Sequence, residues 1–521
     1  MFVVVNILVK MQHQRRRRAR RDTSAAPSKT HSNSVSNYVR RLAPSNTLTE
    51  QQIVAIEARA EQLLEEIGVD MDGNVDLCER FEAAGARVEN GRVHFPAGLG
   101  RELCATAPSE FVMTARNPAR SVTFGGNNLV FGPGDSIPFV TDLDNGRRYG
   151  TVEDHANLSK LVQLSPGLHH NGQAVCEISD VAVNKRHLDL SFHQLTLTDK
   201  PMMGATLSPD AARDSLDMLR IVFGDDTVEA SHVMLAGTNV QSPLAFEART
   251  LDVLRVYSEA NQPSLITPFV IAGAMSPVTM AAVLAQVHAE VQAGVAVTQL
   301  YRPGCPAVYS SFVTTMDLRT GAPTYGTPES TLANAAIPQL ARRLGLPVRA
   351  GGHITASKVL DGQAMQESAD ACTAAVMAGA NYVLQAAGWL EGGLTIGFEK
   401  FVVDAQRCEA MGRLVEGIAF DDNAFAADAY REVAEAGGTT FLGAAHTYAN
   451  MRTANIDAGL ADTASFEQWS EEGSLTVAER ANAKWKQMLA DYEPPPLDNS
   501  IHAALVDFVT DKKGAAADAW Y

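Results

Sequence analysis

Between residues 326 and 400 the chain reads G-T-P-E-S (326–330), a helical stretch, L-G-L-P-V-R-A-G-G-H-I-T-A-S-K-V-L-D-G-Q-A (344–364), a second helical stretch, and A-G-A-N-Y-V-L-Q-A-A-G-W-L-E-G-G-L-T-I-G-F-E-K (378–400). Leu332, Ala336, Leu340 and Leu344 recur at helical spacing, Gly345 stops that helix, and Pro347 opens a short apolar strand at 347–351. Ala371, Ala374, Ala375 and Ala378 repeat the pattern, Gly379 ends it, and 381–386 is the next strand. Two consecutive βα units result. Parallel α/β folds build their sites from the loops that leave the carboxyl ends of strands, so the polar, glycine-rich stretches 352–361 and 388–399 are the first site candidates.

Working outward, earlier strand candidates lie at 129–132, 168–175, 202–207, 233–237, 264–270 and 295–300, the last extended through 307–313. Helical patterns at 153–164, 209–223, 246–260 and 277–293 alternate with them. The count predicts an α/β fold, a (β/α)8 TIM barrel over 129–414. A doubly wound sheet is the alternative, but Gly132-Pro133-Gly134-Asp135 is not the G-x-G-x-x-G turn that such a sheet wants after its first strand. Residues 47–128 read as an N-terminal α+β cap. Thr49 and Gln52 make a capping box ahead of the stripe Ile53, Ile56, Ala60, Leu63, Leu64 and Ile67; a helix follows at 75–84, and Asn90-Gly91 turns a hairpin at 87–95. Residues 415–521 read as a C-terminal helical extension, with a helix capped by Thr476 and, after a Pro494-Pro495-Pro496 spacer, another at 501–509. Residues 1–46, short of apolar anchors, are expected to be a basic, disordered arm.

A 521-residue chain that is 46% hydrophobic and 20% charged has the material for a large core. No apolar run approaches the roughly 20 residues of a membrane helix, and the apolar start at 2–9 precedes its basic cluster, the reverse of a secretory signal. No membrane association is expected. The net charge of −17 hides a split, because Lys10 and six arginines fall within residues 1–21 with no acid among them. Such a tail can bind nucleic acid, but a solubilising arm is the favoured reading, so nucleic acid is not an expected partner. Six scattered cysteines with no C-x-x-C pair point to a reducing cytoplasm, not to a disulfide frame or a zinc site.

Thirteen histidines include no H-E-x-x-H or H-x3-H pair, so no directly bound metal is expected. Lys358 and Lys400 stand where a Schiff-base lysine could sit; the bland reading pairs them with Asp361 and Glu399. Aromatic residues gather near strand ends: Phe139, Phe269, Tyr301, Tyr309, Phe312, Tyr325 and Trp389. Core packing explains most such rings. Two or three converging on a barrel mouth would instead attract an alkylammonium by about 0.5–2 kcal/mol each. Tyr309, Phe312, Tyr325 and Trp389 are the candidate rings, and Glu329, Gln363, Glu367 and Glu391 the candidate charge and hydrogen-bond partners.

The segments I-T-P-F-V-I-A-G-A-M-S-P-V-T (266–279), R-P-G-C-P-A-V-Y (302–309), M-D-L-R-T-G-A-P-T-Y-G-T-P-E (316–329) and A-A-G-W-L-E-G-G-L-T-I-G-F-E-K (386–400) carry a resemblance. The chain resembles the trimethylamine methyltransferase family over nearly everything beyond residue 47. The resemblance implies a (β/α)8 barrel that moves a methyl group from a methylated amine to the cobalt of a corrinoid, a cobalamin carried by a separate corrinoid-binding protein. Founding members hold pyrrolysine in a loop like S-K-X-x-D-x-Q-A; S-K-V-L-D-G-Q-A (357–364) puts Val359 at that position. The branch without pyrrolysine includes glycine betaine demethylases, so a quaternary amine is the expected small-molecule substrate, with His353 for its carboxylate. A cytoplasmic homo-oligomer is also expected. Three alternatives stand beside this reading: a barrel lyase using Lys358, a betaine-binding barrel without turnover, and a nucleic-acid-associated protein that binds through its basic tail.

Overall fold

Parallel strands and covering helices alternate along the chain in the computed structural model, which describes residues 37–456 and 459–520. Strands Met202–Gly204, Met234–Val240, Ser264–Ile271 and Ala307–Tyr309 lie side by side in parallel. Tyr309 bridges in parallel to Val348, at the start of strand Arg349–Gly351, which pairs with Tyr382–Leu384 and through it with Asn128–Phe131. The fold is mixed α/β.

Residues 168–175, expected as a strand, do not form a regular one. The main-chain N–H groups of His169 and His170 reach Phe131 O at 2.9 and 3.2 Å, and on the other side Asn171 N reaches Pro201 O at 2.9 Å. The imidazoles interrupt the ladder: His169 Nδ1 accepts the Phe131 N–H, and His170 Nδ1 the Gly172 N–H, each at 3.1 Å. Side chains thus take donors that a strand would give to its neighbour.

The expected strand at 295–300 is instead the last turns of helix Met280–Tyr301. Gly294, just past the expected end at 293, serves a close approach. A Cβ there would lie 2.4 Å from Ile266 Cγ2 and 3.1 Å from Phe246 Cζ, so the helix meets the sheet at this point. The same helix corrects the expectation about apolar runs: it is 22 residues long and apolar enough to cross a membrane, with 83% of that window buried inside the protein. It is apolar all round because both sides are covered. Ile266 and Val270 of the sheet pack on one side and Ile53, Ile56, Ala60 and Leu64 of the cap on the other, in one continuous core.

The first helices and the hairpin follow the sequence. Helix Glu50–Gln62 starts at the Thr49 capping box, Val75–Ala83 follows, and Arg87–Glu89 pairs with Arg92–His94 across Asn90-Gly91. Part of the expected disordered arm is ordered: Tyr38–Val39 adds an antiparallel strand to Asn128–Phe131, and Arg40 is buried with its guanidinium donating to Ala380 O at 2.8 Å. The Arg-rich run lies outside the described residues. At the other end, helix Val477–Ala490 packs beside Phe398–Val415 through Trp485 on Phe398, 4.9 Å between rings. The last helix runs Asn499–Ala515, longer than its apolar stripe, and Leu505 is buried in a cluster with Leu188 and Leu216.

Candidate active site

A cavity of about 1080 Å³ opens where the parallel strands end. Alternation along strand Ser264–Ile271 shows which face it occupies: Leu265, Thr267, Phe269 and Ile271 line it, while Ile266 faces the helix Met280–Tyr301. Phe312, Tyr325 and Trp389 form one wall. Their centroids lie 5.7 Å (Phe312–Tyr325), 5.5 Å (Phe312–Trp389) and 6.0 Å (Tyr325–Trp389) apart, and Phe269 stacks on Phe312 at 5.6 Å. Rings this close touch one another. They make a contiguous surface on which a cation can rest, not opposed faces of a box.

A small separate sheet presents this wall. Trp389–Leu390 pairs with Thr395–Gly397, which runs parallel to Phe139–Thr141. The hairpin between them lies directly on the rings: a Cβ on Gly393 would come within 2.4 Å of Trp389 Cζ2, and one on Gly392 within 2.7 Å of Tyr325 Cε2. The two candidate loops are tied together, since Glu391 N donates to Ser357 O at 2.7 Å and Gly392 N to Thr355 O at 2.9 Å.

The proposed site residues fall into two groups. Phe312, Tyr325, Trp389, Glu391 and also Lys358 line the cavity. Glu391 pairs with Arg147 at 2.7 Å and accepts from Thr395 at 2.6 Å; burial would raise its carboxyl, but these contacts hold it below its ordinary value. Tyr309, Glu329, His353, Gln363 and Glu367 lie outside. Tyr309 stands opposite Ile266 in the sheet and so shares its helix-facing side, with Oη 3.3 Å from His288 Nδ1. Glu329 is exposed in the first turn of helix Pro328–Arg343. His353 is buried with Nδ1 at 2.7 Å from Ala386 O, and burial lowers its pKa. Gln363 donates to Glu367, and Glu367 accepts from Thr355 Oγ1 at 2.6 Å and Ala356 N at 2.9 Å, pinning the 352–361 loop from behind. Val359 projects from that loop, 60% exposed.

The lysines depart from their expected partners. Lys358 is exposed and donates to Ala356 O at 3.0 Å, without the apolar enclosure that Schiff-base lysines use. Lys400 is fully buried and pairs with Asp404, one helical turn on, at 2.6 Å; Glu399 instead accepts from Asn482 and Trp485. Asp404 also accepts the Gly388 N–H at 3.0 Å, so this ion pair holds the turn leading into Trp389.

Sequence reasoning passed over Arg349, Gln385 and Asp135, which line the same cavity. Arg349 is buried, donates to Ser311 O at 2.6 Å and to Gln385 Oε1, and lies 5.4 Å from the centre of the Phe312 ring. Burial lowers its guanidinium to about 10. Gln385 reaches it from a left-handed backbone, φ +55°, which a non-glycine residue adopts only under strain. Asp135 accepts from Gln173 N and Ala174 N, both at 3.0 Å, and burial pushes its carboxyl up. A signal for Arg349 was present in the strand's period of two: Val348 and Ala350 join the apolar clusters on the helix side, so the residue between them turns inward. Among the described residues no cluster of three or more His, Cys, Asp or Glu could hold a metal ion.

The sequence profile of the trimethylamine methyltransferase family matches residues 13–517, almost the whole chain. The chain belongs to the trimethylamine methyltransferase family. It is a methyltransferase. Among relatives in this family, the glycine betaine methyltransferase of Desulfitobacterium hafniense strain Y51 is 35% identical over 468 residues, covering 90% of this chain and 97% of that protein. A trimethylamine methyltransferase of the same species, strain DSM 10664 / DCB-2, is 27% identical over 489 residues, 90% of this chain and 95% of its own length. Among solved structures, the monomethylamine methyltransferase of Methanosarcina barkeri has a TM-score of 0.46 at 10% identity, covering 88% of this chain and 97% of that one.

Proposed function

We propose that this methyltransferase demethylates a quaternary amine, glycine betaine or a close relative, and passes the methyl group to the cobalt of a corrinoid held by a separate protein. The observation that carries the reading is the wall of Phe312, Tyr325 and Trp389 in the cavity of a trimethylamine methyltransferase family member. The 35% identity to a glycine betaine methyltransferase supports the choice of amine. A reduced corrinoid supplies the nucleophile. The N–CH3 bond breaks with its electron pair returning to nitrogen, so a quaternary ammonium leaves as a neutral tertiary amine and no proton has to move. Valine at 359, where the resemblance expects pyrrolysine in trimethylamine enzymes, fits that chemistry. The chain's own work is then to hold the cation against the rings, align one methyl with the mouth and exclude water. Charge on nitrogen falls as the bond breaks, so a wall of modest attraction serves better than a tight charged cage.

The finer architecture belongs to the same reading: the eight parallel segments, with 168–172 hydrogen-bonded to Phe131 on one side and to Pro201 on the other, are arranged as a (β/α)8 barrel. Exposed Leu207 and Leu394 at the cavity edge make an apolar rim over which a carrier protein would dock. The buried free cysteines are in keeping with a cytoplasmic location.

The test is to incubate the protein with free reduced cobalamin and each amine and to follow the demethylated product by NMR. Dimethylglycine from glycine betaine, with no dimethylamine from trimethylamine, is the expected result; the reverse pattern overturns the proposal.

A further inference from the structure

Two residues that line the cavity each carry a buried N–H donor without an acceptor among the described residues: Nε of Arg349 and Nε1 of the Trp389 indole. Both residues are buried, at 2% and 6% exposure, so bulk water does not satisfy them. The two terminal Arg349 nitrogens each give one bond, to Ser311 O and to Gln385 Oε1, and these bonds fix the plane of the guanidinium. Phe312 connects the two donors, its centroid 5.4 Å from the Arg349 guanidinium and 5.5 Å from the Trp389 ring.

Arg349 stands in no ion pair among the described residues. Asp135 shares the cavity and interacts with it electrostatically, but the Asp135 carboxylate turns to the N–H groups of Gln173 and Ala174. Glu177 is drawn toward Arg186, 3.9 Å away, and Glu391 is taken by Arg147. A buried guanidinium held without a carboxylate partner is a standing demand for an anion.

From these residues we infer that Arg349 is the anchor of an anion subsite, and that it takes the carboxylate of a zwitterionic substrate whose ammonium rests on the neighbouring rings. The inference rests on the glycine betaine reading above and deepens it by naming the residue that takes the carboxylate. Arg349 is therefore a specificity residue: it engages the end of the substrate that does not react, and by holding that end it fixes which methyl groups face the mouth. Trp389 contributes its face to the cation and its N–H to the bound polar end.

Calorimetric titration of the full-length protein tests this with three ligands: glycine betaine, its methyl ester and tetramethylammonium. The wild type should bind glycine betaine about tenfold or more tightly than either ligand lacking the carboxylate. Arg349→Gln should weaken glycine betaine by at least about tenfold while leaving tetramethylammonium within about twofold, and Arg349→Lys should recover part of the loss. The subsite falls if the wild type binds the ester as tightly as the acid, or if Arg349→Gln weakens glycine betaine and tetramethylammonium equally. The wild-type series decides even if a variant fails to fold. If the ester and acid bind alike and both are demethylated, only the subsite is wrong; if no quaternary amine binds, the functional reading falls with it.

Discussion

Gly393 occupies a place where one added carbon has two consequences. Its φ is +93°, in the left-handed region, and its Cβ would enter the Trp389 ring at 2.4 Å. Gly393→Ala should therefore destabilise the hairpin by about 1–2 kcal/mol and push the indole out of place, lowering amine affinity together with the melting temperature. Unchanged affinity and melting would show that the hairpin yields freely. At this scale the sequence was half legible. Phe312, Tyr325 and Trp389 could be named because aromatic residues just past a strand point toward its open end. Tyr309 has the same local signature, but its inward or outward direction depends on register, and the pairing with Ile266 is made across 43 positions of sequence. His353 followed a strand as a site residue should, and its Nδ1 lies 2.7 Å from Ala386 O. Arg349 was hidden for the opposite reason: a charge inside a buried strand reads as an irregularity until the strand's neighbours show that it faces a cavity.

Helices were read well where an end signal and a face agreed. Pro209–Phe223 with its Ser208 cap, and Gly362–Ala378 between Asp361 and Gly379, match their expected ends closely. The reading failed on Met280–Tyr301, where apolar residues on every side left no face to follow. Helix Phe398–Val415 carries the ion pair that neighbouring-residue logic missed: Lys400 and Asp404 are a helical turn apart and both fully buried. Asp404→Ala would leave a buried ammonium without its counter-charge and free the Gly388 N–H, so a loss of about 3–5 kcal/mol is expected in urea unfolding. Combining Lys400→Met with Asp404→Leu should recover much of that stability. Equal instability of the single and double variants would mean that packing volume, not charge, is what the pair supplies.

Several histidines locked into the interior make the molecule as a whole sensitive to mild acid. Burial holds His169 and His170 down to about 3, and His193 and His288 to about 4, against an ordinary value of 6.5. The unfolded chain binds these protons first as the pH falls. Stability is thus fully present above about pH 6.5 and drains away between there and about pH 3–4. Melting temperatures should begin to fall below pH 6.5, ahead of ordinary carboxylate titration; a flat profile from pH 7 to 5 would contradict this. The extension past residue 415 shows what composition could not reveal. Ile418, Phe420, Tyr448 and Phe466 are 80%, 78%, 82% and 72% exposed. For the proposed homo-oligomer, sedimentation should give a multiple of the chain mass, and Phe420→Glu with Phe466→Glu should lower it; a monomeric wild type would refute the assembly. The stitching of Glu391 N to Ser357 O and Gly392 N to Thr355 O has its own consequence for traffic. Loops joined by main-chain bonds cannot part like two doors, so that side of the mouth behaves as a fixed jamb. Passage on that side therefore depends on side chains such as the exposed Leu394, not on a parting of the two loops.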